Sequence, residues 1–233
     1  MLKIEISEPV NFLMKHLKRI VSALATAALV VAAVVYAPVS WFPPVLAVLM
    51  LAAMAEFFVL AAKKTGLLSA QGFCVNLGGV LVLAFAFSTL ALIAKEGGNM
   101  ALLYTLAVVK LSDMGGFALG VAFGKHKMCP SISPNKTWEG MCGSILGSTL
   151  MSCLFVYVIG TPSFALWKTL FIGVVAAFVG TAGDLVESKF KRWVGVKDSG
   201  AFMPAGLGGL LDMFDSLLFA PAVIWGMVKW LNG

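Results

Sequence analysis

Apolar residues run in blocks of about twenty along the chain, and few of those blocks leave one face polar. IVSALATAALVVAAVVYA, residues 20–37, is apolar all round, which a bilayer accepts and water does not. Seven blocks, 20–37, 44–62, 73–94, 100–124, 140–160, 167–186 and 209–228, are predicted to be membrane-spanning helices, because about 20 apolar residues cross a ~30 Å hydrocarbon core. Pro43-Pro44, Gly97-Gly98 and Thr161-Pro162 punctuate connections on one side. A β-barrel is excluded, since its strands alternate over about ten residues. The first block is expected to remain as an anchor, because no small-residue cleavage site follows it before the next.

Composition agrees with the pattern. Hydrophobic residues make up 60% and charged residues 12% of the chain, against roughly 25% charged in soluble domains, and the mean hydropathy is +0.96. The predicted fold class is therefore all-α, a polytopic helix bundle forming one membrane domain over 1–233. Hydrophobic N-terminal helices fill 1–100, and helices with longer polar loops, the part expected to carry any chemistry, fill 101–233.

Charge gives the bundle a direction. Alternating spans place Lys3, Lys15, Lys18, Arg19, Lys63, Lys64, Lys125, Lys127, Lys136, Lys189, Lys191, Arg192 and Lys197 on one side, leaving Lys95, Lys168 and Lys229 on the other and Lys110 inside a span. By the positive-inside rule the rich side is cytoplasmic. The N-terminus and the long polar loops 125–139 and 187–208 are then expected inside, in a multi-pass protein of a bacterial inner membrane. The basic excess suits a lipid surface, and no nucleic-acid partner is expected. Cys74, Cys129, Cys142 and Cys153 form no C-x-x-C pair and read as packing thiols. His16 and His126, at membrane edges, read as headgroup contacts.

Acids inside spans are more informative. A carboxylate at membrane depth costs about 2.5–3.5 kcal/mol on insertion scales and calls for a partner or a wet cavity. Glu56 is alone in its span and reads as a hydrogen bond to a neighbouring helix. Lys110 and Asp113 are three apart on one helical face and can neutralise each other. Asp184 and Glu187, then Asp212 and Asp215, repeat that spacing at the ends of the last two spans. These four acids would repel each other, a cost that a Mg²⁺ ion with its hard oxygen ligands removes. ESKFKRWVGVKDSG, 187–200, adds cations suited to phosphate oxygens. AGLGGLLD, 205–212, sets three glycines before the Asp212 helix, where free N–H groups can meet an anion. Basic clusters bind headgroups and membrane glycines pack helices in many proteins, MGG at 114–116 being a case in point. The carboxylates on both flanks favour a phosphoryl-transfer site.

Three polar blocks carry a family resemblance. D-x-x-G-x-x-x-G with G-K-H-K-x-x-P-x-I-S-P-N-K-T-W-E-G (113–140), G-D-L-x-E-S-x-F-K-R-x-x-G-x-K-D-S-G (183–200) and G-G-L-L-D-x-x-D-S (208–216) together resemble phosphatidate cytidylyltransferase, CDP-diacylglycerol synthase. The resemblance covers about 110–220 and implies a dimeric helical membrane enzyme with a polar cavity open to the cytoplasm. Such an enzyme condenses phosphatidate with CTP to give CDP-diacylglycerol and pyrophosphate. It implies Mg²⁺, as one or two ions with a monovalent cation such as K⁺ compatible, on Asp184 and Asp212. Lys136, Lys189, Arg192, Lys197 and Asp198 are then expected to serve the chemistry, and Asp113, Ser133, Lys191, Gly208, Gly209 and Asp215 to bind substrate. The chain departs from the family pattern at Leu207 and Met213, where members commonly carry His and Arg, and has one extra residue near Ala205. A lipid or polyprenol kinase, which would release a nucleoside diphosphate, is the alternative enzyme. An anionic-solute transporter, a further alternative, would carry charged or broken segments in both halves near the midplane.

Overall fold

The computed structural model describes residues 27–66, 69–160, 165–197, 199 and 209–232. The chain divides into two compact units, Met1–Pro38 and Val39–Gly233. In the first unit, helix α1 spans Ala27–Tyr36; the rest of the expected first span, from 20 to 26, lies outside the described residues.

The second unit opens with a 3-10 turn at Val39–Trp41 that leads into α2, Phe42–Thr65. Pro43 and Pro44 fall in its first turn, where a missing N–H costs nothing. Helix α3 runs from Ala70, capped by the Ser69 hydroxyl on Gly72 N–H at 2.9 Å, to Phe123. Its 54 residues would make a rod about 80 Å long at ~1.5 Å per residue, far more than one bilayer crossing. Gly98, at φ +71° and ψ −171°, breaks it, in a conformation that suits only glycine. The two segments, 70–97 and 99–123, correspond to the third and fourth expected spans.

The loop expected at 125–139 contains an antiparallel hairpin, β1 Lys127–Cys129 and β2 Ser133–Thr137, so the fold is not helical throughout. A clasp closes its base: His126 Nδ1 meets Glu139 Oε1 at 2.6 Å, and Trp138 N–H donates to the His126 carbonyl at 2.9 Å. Thr137 ends β2 and caps α4, Trp138–Leu154, its hydroxyl accepting from Gly140 N–H at 3.1 Å. A π-helical turn, Phe155–Ile159, continues α4 to Gly160. Helix α5 spans Leu166–Val194.

The last expected span, 209–228, is interrupted. It forms α6, Leu210–Phe214, a 3-10 turn at Asp215–Leu217 and α7, Ala220–Asn232. Pro221 favours the break, since it has no N–H to donate to the Leu217 carbonyl and belongs in a helix's first turn.

Among the described residues, five helical stretches are long and apolar enough to cross a membrane, and the fold is that of a helical membrane protein. Leu51, Phe73, Leu81, Phe117, Val121, Leu146, Leu150 and Phe171 lie exposed on the surface, as lipid contact allows. Small residues bring α3 and α4 together. A Cβ on Gly143 would overlap the Gly115 carbonyl, and one on Gly147 would overlap that of Leu111, the close approach that small residues four apart permit in membranes. Gly115 in the MGG stretch is thus a packing residue. Between α3, α4, α5 and α7 lies a core around Tyr104, Val108, Ile172 and Ile224, with Tyr104 hydroxyl 2.7 Å from Ser152 Oγ. None of the four cysteines is in a disulfide.

Candidate active site

The site forms where helical spacing turns polar residues toward one another. On α3, Lys110, Asp113 and Phe117 recur at three and four residues on one face. On α5, Thr181, Asp184, Glu187 and Lys191 do the same. These faces, with β2, the start of α4 and α6, enclose a cavity of about 320 Å³ lined by Lys110, Asp113, Asn135, Lys136, Ser144, Thr181, Asp184, Asp212 and Asp215 among others. Gly183 lets the broken helix approach, since a Cβ there would lie 2.5 Å from the Asp215 carbonyl oxygen.

Each acid is held by named partners. Lys136 Nζ lies 2.5 Å from Asp184 Oδ2. Lys191 Nζ bridges Glu187 Oε2 at 2.7 Å and Asp212 Oδ1 at 2.5 Å. Lys110 Nζ reaches Asp113 Oδ2 at 3.4 Å, the Met213 carbonyl at 2.9 Å and Ser216 Oγ at 3.2 Å. The Ser216 hydroxyl donates to Asp113 Oδ2 at 2.8 Å, and its N–H to Asp215 Oδ1 at 2.5 Å. Asp212 Oδ2 accepts from Gly209 N–H at 2.7 Å and Ser199 N–H at 3.1 Å.

Carboxylate oxygens of Asp184, Glu187 and Asp215 all lie within 4.8 Å of one another. Two unit charges near that distance repel by about 3–4 kcal/mol at an effective dielectric constant of 20. Formally ionised, the acids Asp113, Asp184, Glu187, Asp212 and Asp215 outnumber the ammonium groups of Lys110, Lys136 and Lys191 by two, the charge of one Mg²⁺. Glu187 Oε1 is buried and has no hydrogen-bond partner among the described residues. Hard oxygens in excess, one of them buried and without a donor, fit a divalent cation.

The structure gathers Asp113, Lys136, Asp184, Asp212 and Asp215 on the cavity wall, with Lys191 and Gly209 holding Asp212 from behind. Ser133 pairs with Cys129 in the hairpin and does not line the cavity. Lys189, Arg192 and Lys197 are exposed. Lys189 stands five residues beyond Asp184 and so on another face of α5, and Arg192 Nε donates to the Ile132 carbonyl at 3.4 Å. Asp198, Gly208 and Leu207 lie outside the described residues.

Sequence reasoning counted Glu187 among the four acids that a metal ion would relieve, though not as an expected ligand, and left Lys110, Asn135 and Ser216 out of the site. Lys110 carried a signal, being three residues from Asp113. Asn135 and Ser216 carried none, because only the hairpin and the break at Pro221 turn them inward. Glu56, read as a bond to a neighbouring helix, is one: Leu211 N–H donates to its Oε2 at 2.9 Å.

The model of the cytidylyltransferase family matches residues 14–231. Similar curated proteins are a phosphatidate cytidylyltransferase of Mycobacterium leprae (strain TN), 41% identical over 150 residues, covering 63% of this chain and 46% of that protein. One of Staphylococcus saprophyticus is 43% identical over 125 residues, covering 54% and 47%. A third, of Mycobacterium tuberculosis H37Rv, is 39% identical over 142 residues, covering 60% and 42%. The chain spans about half the length of the curated relatives it matches.

Proposed function

Because the chain belongs to the cytidylyltransferase family, we propose that it transfers CMP from CTP to phosphatidate, leaving CDP-diacylglycerol in the bilayer and releasing pyrophosphate. The observation that carries this reading is one cavity, inside a membrane protein, whose wall brings carboxylates of Asp184 and Asp215 to the ammonium group of Lys136, with a carboxylate oxygen of Glu187 within 4.8 Å of both acids. Relatives bearing the name phosphatidate cytidylyltransferase support it.

In this reading an oxygen of the lipid phosphate attacks the α-phosphorus of CTP, and the bond from that phosphorus to the β-phosphate oxygen breaks. Asp184 and Asp212, with Glu187 and Asp215 beside them, would hold Mg²⁺, which when bound neutralises charge on the phosphates and aligns attacking and leaving oxygens. Lys136 and Lys110 present ammonium groups to the phosphates across the same cavity. Lys191 holds Asp212 at its wall through an ammonium group shared with Glu187. Exposed Lys189, Arg192 and Lys197 attract the triphosphate from solution. The lipid phosphate is already anionic near neutral pH, so no general base is required, and Leu207 in place of the family's His is compatible with turnover.

The same reading sets seven spans in a bacterial inner membrane, the N-terminus inside and the cavity open to the cytoplasm, in a homodimer; the sided lysines support the orientation. Purified protein incubated with phosphatidate, Mg²⁺ and each nucleoside triphosphate in turn tests the activity. CTP alone should yield pyrophosphate and a CMP-bearing lipid. A nucleoside diphosphate product would make the protein a kinase, and no product with any nucleotide would end the proposal.

A further inference from the structure

Glu56 is the one carboxylate in the middle of α2, is 1% exposed, and does not line the cavity. Among its contacts is one with the start of α6, the helix that carries Asp212. Leu211 N–H donates to Glu56 Oε2 at 2.9 Å. Two residues earlier, Gly209 N–H donates to Asp212 Oδ2 at 2.7 Å, so adjacent ends of one turn are held by two carboxylates.

Gly209 makes the fit between them close. A Cβ at that position would overlap both Glu56 Oε1 and Ser199 Oγ. Only glycine lets the Glu56 carboxylate, the backbone of 209–211 and Ser199 occupy one place together. Ser199 N–H in turn donates to Asp212 Oδ2 at 3.1 Å. The backbone that orients Asp212 is therefore backed by Glu56, and α2 is itself pinned to α5 one residue on, where Phe57 stacks on Phe190 with ring centroids 4.4 Å apart.

We infer that Glu56 is a positioning residue, through which α2 in the N-terminal half sets Asp212 and the Asp215 turn against α5. The inference rests on the proposed CTP-dependent activity for its kinetic consequence, but its mechanical part stands apart from it. Glutamine at 56 still offers an oxygen to Leu211 N–H, whereas alanine offers none. Alanine at 209 must displace Glu56 or Ser199.

Amide hydrogen exchange on the peptide 209–217, in detergent, reads the mechanical part. Glu56→Ala should speed it at least tenfold and Glu56→Gln by less than threefold. In steady-state assays Glu56→Ala should lower kcat at least tenfold and raise the half-saturating Mg²⁺ and CTP concentrations severalfold, with the KM for phosphatidate within twofold; Glu56→Gln should recover most of the loss. Gly209→Ala should reproduce the defect and add little to Glu56→Ala. If Glu56→Ala unfolds, Glu56→Gln and Gly209→Ala carry the comparison. Unchanged exchange in Glu56→Ala, or in Gly209→Ala where that comparison stands in, overturns the contact. Faster exchange with unaltered kinetics overturns the positioning role, as does an equal loss toward Mg²⁺, CTP and phosphatidate. A wild-type chain inactive with every nucleotide overturns the proposed activity instead, and exchange then decides the contact alone.

Discussion

Lys136 Nζ lies 2.5 Å from Asp184 Oδ2, joining the hairpin to the middle of α5 across the cavity. A pair so placed presents opposite charges side by side to a ligand that needs both, phosphate oxygens and the cation that accompanies them. Lys136→Met should therefore lower kcat by about 10²–10³-fold, the cost of removing one preorganised donor from developing charge. Its thermal midpoint should stay within a few degrees, because the lysine side chain is partly exposed and leaves Asp184 with a second partner, the Ser188 hydroxyl. Pyrophosphate release within tenfold of wild type would remove Lys136 from the chemistry.

The carboxylates make a separate prediction. Asp184→Asn and Asp212→Asn should each abolish turnover while the protein inserts and purifies normally, and Asp184→Asn, Glu187→Gln and Asp215→Asn should each weaken Mn²⁺ binding measured by electron paramagnetic resonance. Stripping divalent ions with a chelator should stop wild-type turnover, and Mg²⁺ should restore it. Ordinary rates in Asp184→Asn at ordinary Mg²⁺ would defeat the assignment.

Much of this was legible because a bilayer imposes simple rules. Length and apolarity marked the helical stretches among the described residues, and the cost of a buried charge singled out Glu56, Asp113, Asp184, Glu187, Asp212 and Asp215. The hairpin at 127–137 was not legible, since its strands are three and five residues long and owe their pairing to the His126–Glu139 clasp. The break in the last span was hidden for a different reason. Pro221 is visible in the sequence, but prolines occur within membrane helices where neighbours satisfy the freed carbonyl, and only the packing against Gly183 decides for a turn. Lys189 and Lys191 read alike as phosphate donors because the sequence places both in a loop at 187–208, whereas α5 continues to Val194 and its period turns them to different faces.

Backbone contact between α3 and α4 can be tested by bulk. Gly147→Val would place a branched side chain against the Leu111 carbonyl, and overpacking typically costs 1–3 kcal/mol. The variant should melt several degrees below wild type in detergent. A midpoint unchanged within one degree would show that the helices have room to part.

Topology follows from the sided lysines. Cys129, half-buried at the end of β1, should react with an impermeant maleimide in inverted membrane vesicles and not in intact cells. Labelling from outside would reverse the orientation proposed for the cavity.

Lys189 and Lys191 separate a site contact from surface attraction within three residues. Lys191 is half-buried, and its ammonium group bridges Glu187 and Asp212; removing it leaves two acids near each other without their shared counter-charge, a loss that buried pairs tolerate poorly. Lys189 is exposed on another face of α5, where salt screens it over about 8–10 Å. Lys191→Ala should thus lose at least a hundredfold in kcat/KM for CTP, about 2.7 kcal/mol of barrier, at any ionic strength. Lys189→Ala should lose no more than about threefold, through KM alone, and that loss should fade as salt is raised from 50 to about 300 mM. Both variants should be compared on folded protein at saturating phosphatidate. Equal losses from the two, or a salt-independent defect in Lys189→Ala, would mean that Lys189 turns into the cavity when the nucleotide binds.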